Sequence, residues 1–268
     1  MKKYIGLLGY ELKTIFKGSL NLFMVFYPFL MLFLIGYLMP AIVHKTTAAD
    51  SNAAAITLLV GFAVIAAMGG FISGALLGFS LLENKDENTL QNIAVTPITI
   101  SGYAVFKTIY CFALSFLGDL ILLGGLKLFA SEAFTINYGG ISIGLLDNLQ
   151  WLHIVVFSAA SGLIVPTFAM LIASMAKNKI EGFAFMKSSG LVIMLPLLTL
   201  LPAFQDWKQY LLGVVPNFWT IKPILNLALS SQEASNLNFY LYMLIGSGYM
   251  IVLALLCYRL FLKKAYLK

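Results

Sequence analysis

The chain has 268 residues, of which 60% are hydrophobic and 10% charged, with a net charge of +6; soluble domains carry about a quarter charged residues. That balance excludes a soluble globule. The basic excess is scattered at the ends of apolar runs instead of gathered on one face, which excludes a nucleic-acid-binding patch and leaves the lipid bilayer as the surroundings.

A helix crossing roughly 30 Å of hydrocarbon needs about 20 consecutive, mostly apolar residues. Six windows meet that need, so the expected fold is an all-α membrane protein with one transmembrane domain over 1–268. The opening, residues 1–18, places Ile5, Leu8, Leu12, Ile15 and Phe16 on one helical face and Lys3, Lys13, Thr14 and Lys17 on the other. This pattern suits a helix lying in the headgroup plane. Its basic flank precedes no small-residue cleavage site, so it is expected to be retained.

Spans are expected at 19–43, 55–82, 103–130, 151–176, 183–201 and 236–262. Lys and Arg in short loops stay on the cytoplasmic side. With both termini cytoplasmic, only Lys45, Lys127, Lys208 and Lys222 of the 17 basic residues lie outside. The chain is therefore expected in the cell membrane, multi-pass, with both ends inside.

In the second span Gly70, Gly74 and Gly78 recur every four residues with Ser73 beside them, a stripe that lets helix backbones approach closely. The segment that follows, "LLENKDENTLQNIAVTP", concentrates charge and then turns apolar. Asn88 can cap a turn or two over residues 89–95 that exposes Leu90, Ile93 and Val95, and Pro97 ends it. Apolar residues within a charged rim are what a docking knob needs; a solvated loop explains the charges but leaves those residues without a partner.

The third span carries Asp119 at mid-depth, where a charge costs at least about 2.5 kcal/mol. It is either a proton-coupling or substrate-contacting group, or a structural carboxyl held neutral or bonded to hydroxyls and amides of a neighbouring helix. The second outer connection, residues 131–150, contains "INYGGISIG", whose glycines point to a turn. The inner loop "AKNKIEG" is tight and basic. The last outer connection, residues 201–232, is too apolar for an open loop and is interrupted by Pro202, Pro216 and Pro223. Short re-entrant or interfacial helices answer that conflict, with Trp207, Tyr210 and Trp219 at headgroup level.

Convergent chemistry is lacking in the sequence. There is no GxxxxGK[ST] phosphate loop and no GxSxG. His44 and His153 stand apart from other metal-ligand types, and Cys111 and Cys257 lie inside apolar spans as packing residues. No catalytic residue, metal or cofactor is expected on this chain.

Two ordered segments now combine. "ENKDENTLQNIAVTPITISGYAVFK" resembles the signature between spans two and three of type-2 ABC exporter permeases, at Glu83, Lys85, Glu87, Thr89, Leu90, Thr96, Pro97 and Lys107, and departs from it at Asn84 and Asn88. "LPAFQDWKQYLLGVVPNFW" is similar to that family's pattern after span five, at Leu201, Pro202, Trp207, Pro216, Asn217 and Phe218. The resemblance implies a half-transporter that pairs with a second permease, identical or related. Each would dock a soluble nucleotide-binding ATPase subunit through a coupling helix around Glu83, Lys85, Glu87, Thr89, Leu90, Ile93, Thr96 and Pro97, with ATP and Mg on that partner. It further implies export of amphiphilic cargo (a drug, antimicrobial peptide or lipid-like molecule) by alternating access. The competing readings are an ion-coupled secondary transporter using Asp119 and a membrane enzyme or scaffold.

Overall fold

The computed structural model describes residues 6–9, 13, 19–46, 51–86, 99–138, 141–231 and 235–266. The expected interfacial helix over 1–18 falls mostly outside them. The first helical run is continuous but irregular. Helix α1 (Ser19–Met31) contains Pro28, a π-helical stretch follows over Leu32–Leu38, and α2 completes the run at Met39–Thr46. Pro28 has no N–H to give, which deprives the Met24 carbonyl of its helical donor.

Helix α3 (Ser51–Asp86) has 36 residues, about 54 Å at 1.5 Å per residue. Helix α4 (Ile100–Phe129) starts at Thr99, whose side-chain oxygen accepts from the Gly102 amide at 3.0 Å. The fourth apolar window is broken in two. Helix α5 (Trp151–Gly162) and helix α6 (Ile164–Met175) meet at Leu163, and Pro166 removes the donor for the Gly162 carbonyl. Helix α7 (Lys179–Met194) is capped by Asn178, whose Oδ1 accepts from the Glu181 amide at 2.9 Å; Glu181 Oε2 in turn accepts from the Lys177 amide at 2.8 Å. The short basic loop is tight because its own side chains close it.

Past α7 the chain forms three 3-10 segments, Leu195–Leu200, Pro202–Phe204 and Trp207–Val214, then helix α8 (Phe218–Ala228) and helix α9 (Phe239–Tyr266). Among the described residues, five stretches are long and apolar enough to cross a membrane: Val25–Val43, Ser101–Phe129, Trp151–Met175, Ile180–Leu200 and Phe239–Lys263. In α3 the apolar stretch of described side chains, Asn52–Met68, is shorter than a crossing.

One feature corrects the all-α expectation. The outer connection expected as a turn is an antiparallel hairpin, β1 (Thr135–Tyr138) with β2 (Ile141–Gly144), in the register Thr135↔Gly144 to Tyr138↔Ile141. Alternation explains it: Ile136 is buried opposite Ile143, and β-branched residues at every second position suit a half-buried strand. Thr135 and Tyr138 close the strand on either side.

Helix α3 is the hub. It packs against α6, α4 and α7 and receives β1, while α6 lies between α3 and α9. The apolar core divides into two clusters. The larger includes Phe62, Leu123, Leu126, Phe134, Phe157, Ile221 and Ile224; the smaller joins Leu81, Tyr103, Ala104, Val165, Met170 and Phe261. Cys111 and Cys257 are free, buried and part of the smaller cluster.

Candidate functional site: docking end, outer cap and buried carboxylate

Glu83 and Lys85 lie in the last turns of α3, in the described backbone. Glu87, Thr89, Leu90, Ile93, Thr96 and Pro97 lie outside the described residues, which resume at Thr99. What supports this end is clear. Leu81, Tyr103 and Phe261 bring α3, α4 and α9 together in the smaller cluster, and the Ser101 and Tyr258 hydroxyls are 2.5 Å apart across α4 and α9. Lys107 is buried, with its ammonium 5.8 Å from the centre of the Tyr103 ring one turn earlier. Gly78 sits against α6: a Cβ there would lie 3.0 Å from Ile172 Cβ and 3.2 Å from the Ala169 carbonyl oxygen. Gly70 and Gly74 lie on the same helix, with their surroundings outside the described contacts. Between α4, α6 and α9 an apolar groove of about 260 Å³ is lined by Ile109, Leu163, Pro166, Met170 and Leu255 among others.

The end of the bundle away from Glu83 and Lys85, expected outside, is closed by residues 195–231. Pro202 and Trp207 are exposed, Pro216 is half-buried, and Asn217 and Phe218 are buried. Asn217 Nδ2 donates to the Ile193 carbonyl at 2.8 Å, which ties the start of α8 to the end of α7. Phe218 stands edge-on to Trp219, Tyr210 and Tyr242. Trp219 Nε1 donates to the Gly213 carbonyl at 2.9 Å, and the Tyr210 hydroxyl donates to the Ser235 carbonyl at 2.6 Å. Trp219 also fills the space where a Cβ on Gly246 of α9 would stand, 2.5 Å from its own Cβ. Ile221, Ile224, Leu225 and Ala228 carry α8 into the larger core cluster. Sequence pattern alone marked the prolines and Asn217; it missed Tyr242, which belongs to a distant helix.

Asp119 is 4% exposed, and its Oδ2 has no hydrogen-bond partner. Ser115, one turn earlier on the same helix, is likewise buried with an unpartnered hydroxyl. Ser161, at the end of α5, brings its hydroxyl to the Asp119 carboxyl, and Tyr27 of α1 lies close enough to feel the carboxylate charge. Gly118 lies against Pro28, whose Cγ is 3.0 Å from where its Cβ would be. The i, i+4 spacing of Ser115 and Asp119 was readable in the sequence; Ser161 and Tyr27 gave no local signal.

A family model described as "Fluoroquinolones export permease protein Rv2686c-like" matches residues 11–258. The chain belongs to this family. Two curated members of Mycobacterium tuberculosis, the fluoroquinolones export permease proteins MT2760 of strain CDC 1551 / Oshkosh and Rv2686c of strain ATCC 25618 / H37Rv, are each 29% identical to it over 162 residues. The match covers 56% of this chain and 53% of each relative, so the chain spans about half the length of the curated relatives it matches. As a member of the Rv2686c-like family with several apolar crossings, it is a multi-pass membrane protein.

Proposed function

We propose that this protein is the membrane half of an ATP-driven exporter of amphiphilic cargo, powered by a separate soluble ATPase. Membership of an export-permease family in a sequence without a phosphate-binding loop carries the reading. The sequence has no GxxxxGK[ST] loop to cradle ATP and Mg, and on this reading the fuel is burned on the partner and arrives as force. The chain crosses the membrane six times with both termini inside, α3 being the crossing that the basic-residue asymmetry requires.

The docking point is the segment around Glu83, Lys85, Glu87, Thr89, Leu90, Ile93, Thr96 and Pro97. At about 54 Å, α3 outruns a hydrocarbon layer of roughly 30 Å, which carries Glu83 and Lys85 into water. Force applied there reaches α4, α6 and α9 together, because Leu81, Tyr103, Val165 and Phe261 pack them with α3 as one body. Nucleotide closure of the ATPase then tilts that body and alternates access to a path shared with a second permease. The outer segment with Pro202, Trp207, Pro216, Asn217 and Phe218 forms a re-entrant lid on that path. Cargo drawn from the inner leaflet meets walls such as the groove of Ile109, Pro166 and Met170, which favours drug-like amphiphiles, and the family description makes fluoroquinolones the first cargo to test.

Co-purification under mild detergents is the decisive test. A nucleotide-binding subunit should appear in near-equal amount and be lost in Leu90→Asp or Glu87→Arg, while the permease stays folded and drug export stops. Export that continues after ATP depletion, or wild-type permease recovered alone from every detergent, would overturn the reading.

A further inference from the structure

The two apolar clusters are separated along the bundle by a polar layer. On α4 the smaller cluster takes Tyr103, Ala104 and Cys111, the larger takes Leu122, Leu123 and Leu126, and Ser115 and Asp119 lie between. On the fourth crossing the larger cluster ends at Ala160, the smaller begins at Val165, and Ser161 lies between. The layer coincides with two irregularities of the bundle: Pro28 in α1, seated against Gly118, and the break between α5 and α6.

Among the described residues, no Lys or Arg stands in this layer beside Asp119. Lys107 and Lys127 on its own helix stand about three turns before and about two turns after it, and the Lys127 ammonium donates to the Leu146 carbonyl at 3.0 Å. Of the helices packed on α4, α1, α5 and α6 contain no Lys or Arg, and α3 has only Lys85, in its last turn. A bare carboxylate at such depth is costly. Two oxygens one turn apart, Asp119 Oδ2 and Ser115 Oγ, are buried and unbonded. A proton on the carboxyl would neutralise it and could be donated to one hydroxyl, Ser115 or Ser161, but not to both. A hard cation takes both oxygens at once. Among the described residues no three His, Cys, Asp or Glu side chains gather, so one carboxylate among hydroxyls supplies a single negative charge.

We propose that Asp119, Ser115 and Ser161 hold one sodium-sized monovalent cation in the layer between the two apolar clusters, fastening α4 to the break in the fourth crossing and to α1. Discontinuous helices that meet a polar side chain at mid-membrane are a recurring way to seat such an ion. The site is independent of the ATPase reading and needs no partner to be measured.

The test uses the full chain in lipid nanodiscs with radioactive sodium as the probe. Saturable binding of one ion per chain is expected. Choline should not displace it, Asp119→Asn should abolish it, and Ser115→Ala or Ser161→Ala should raise half-saturation roughly tenfold. Sodium at a hundredfold excess over half-saturation should raise the melting temperature by roughly 5 °C over choline. Circular dichroism in choline checks that Asp119→Asn folds; if it does not, the serine variants decide. Absence of saturable binding, binding undiminished in the serine variants, or a wild-type stability that follows pH but not sodium would overturn the site.

Discussion

Two neighbouring crossings look alike in sequence and behave oppositely in the fold. Trp151–Met175 and Ile180–Leu200 are both long and apolar, yet 67% of the first is buried within the protein against 22% of the second. Inside lipid, hydrocarbon outside a helix is as apolar as a neighbour's side chains, so composition does not sort core from periphery; close fit does. The buried crossing has small and polar residues that let others approach. Ala169 and Ala173 face neighbours, and the Thr167 hydroxyl reaches the Met250 carbonyl on α9 at 3.2 Å. The other presents Ile180, Phe183 and Leu191 outward.

This contrast can be attacked in order of effect. Gly78→Leu forces a side chain into the backbone of the buried crossing and should cost about 3 kcal/mol or more, read as loss of monodisperse protein in size-exclusion chromatography after mild heating. Ile172→Ala leaves a cavity on the other side of the same contact, for about 2 kcal/mol, read from the melting temperature. At the joint between the two crossings, Asn178→Ala removes the cap of α7 and should cost about 1 kcal/mol; a drop restricted to α7, seen as faster hydrogen exchange over residues 180–190, would place the loss there. Leu191→Ala on the exposed crossing should stay within about 0.5 kcal/mol. If Leu191→Ala proves as damaging as Ile172→Ala, that face is covered by protein, and cross-linking between two copies at position 191 would then identify a second permease as the cover.

Much of this was legible from charge spacing. Long runs without charge announce helices because the bilayer leaves backbone polar groups no other partner, whereas the cap that Asn178 and Glu181 form was read only as part of a tight, basic loop. The hairpin at 135–144 was less visible, since two glycines read first as a turn and the alternation of Ile136, Ile141 and Ile143 is short. The break at Leu163 was hidden by an apolar run that continues through it, although Pro166 pointed to it. Asp119 stood out as a lone charge; its companions did not, because Ser161 is more than 40 positions away in sequence and nothing local distinguishes it from other serines.

The amino-acid sequence by itself determined that this protein lives in a bilayer and which stretches are apolar enough to cross it, and it showed which segment resembles a family's docking signature, because those properties follow from transfer free energy and residue order. Only the tertiary structure decided which helix is central, that α8 turns inward beneath an aromatic cap, and that Ser115, Asp119 and Ser161 share one layer. Those outcomes depend on the fit of surfaces from distant parts of the chain, and the energy of a fit exists only once both surfaces are in place.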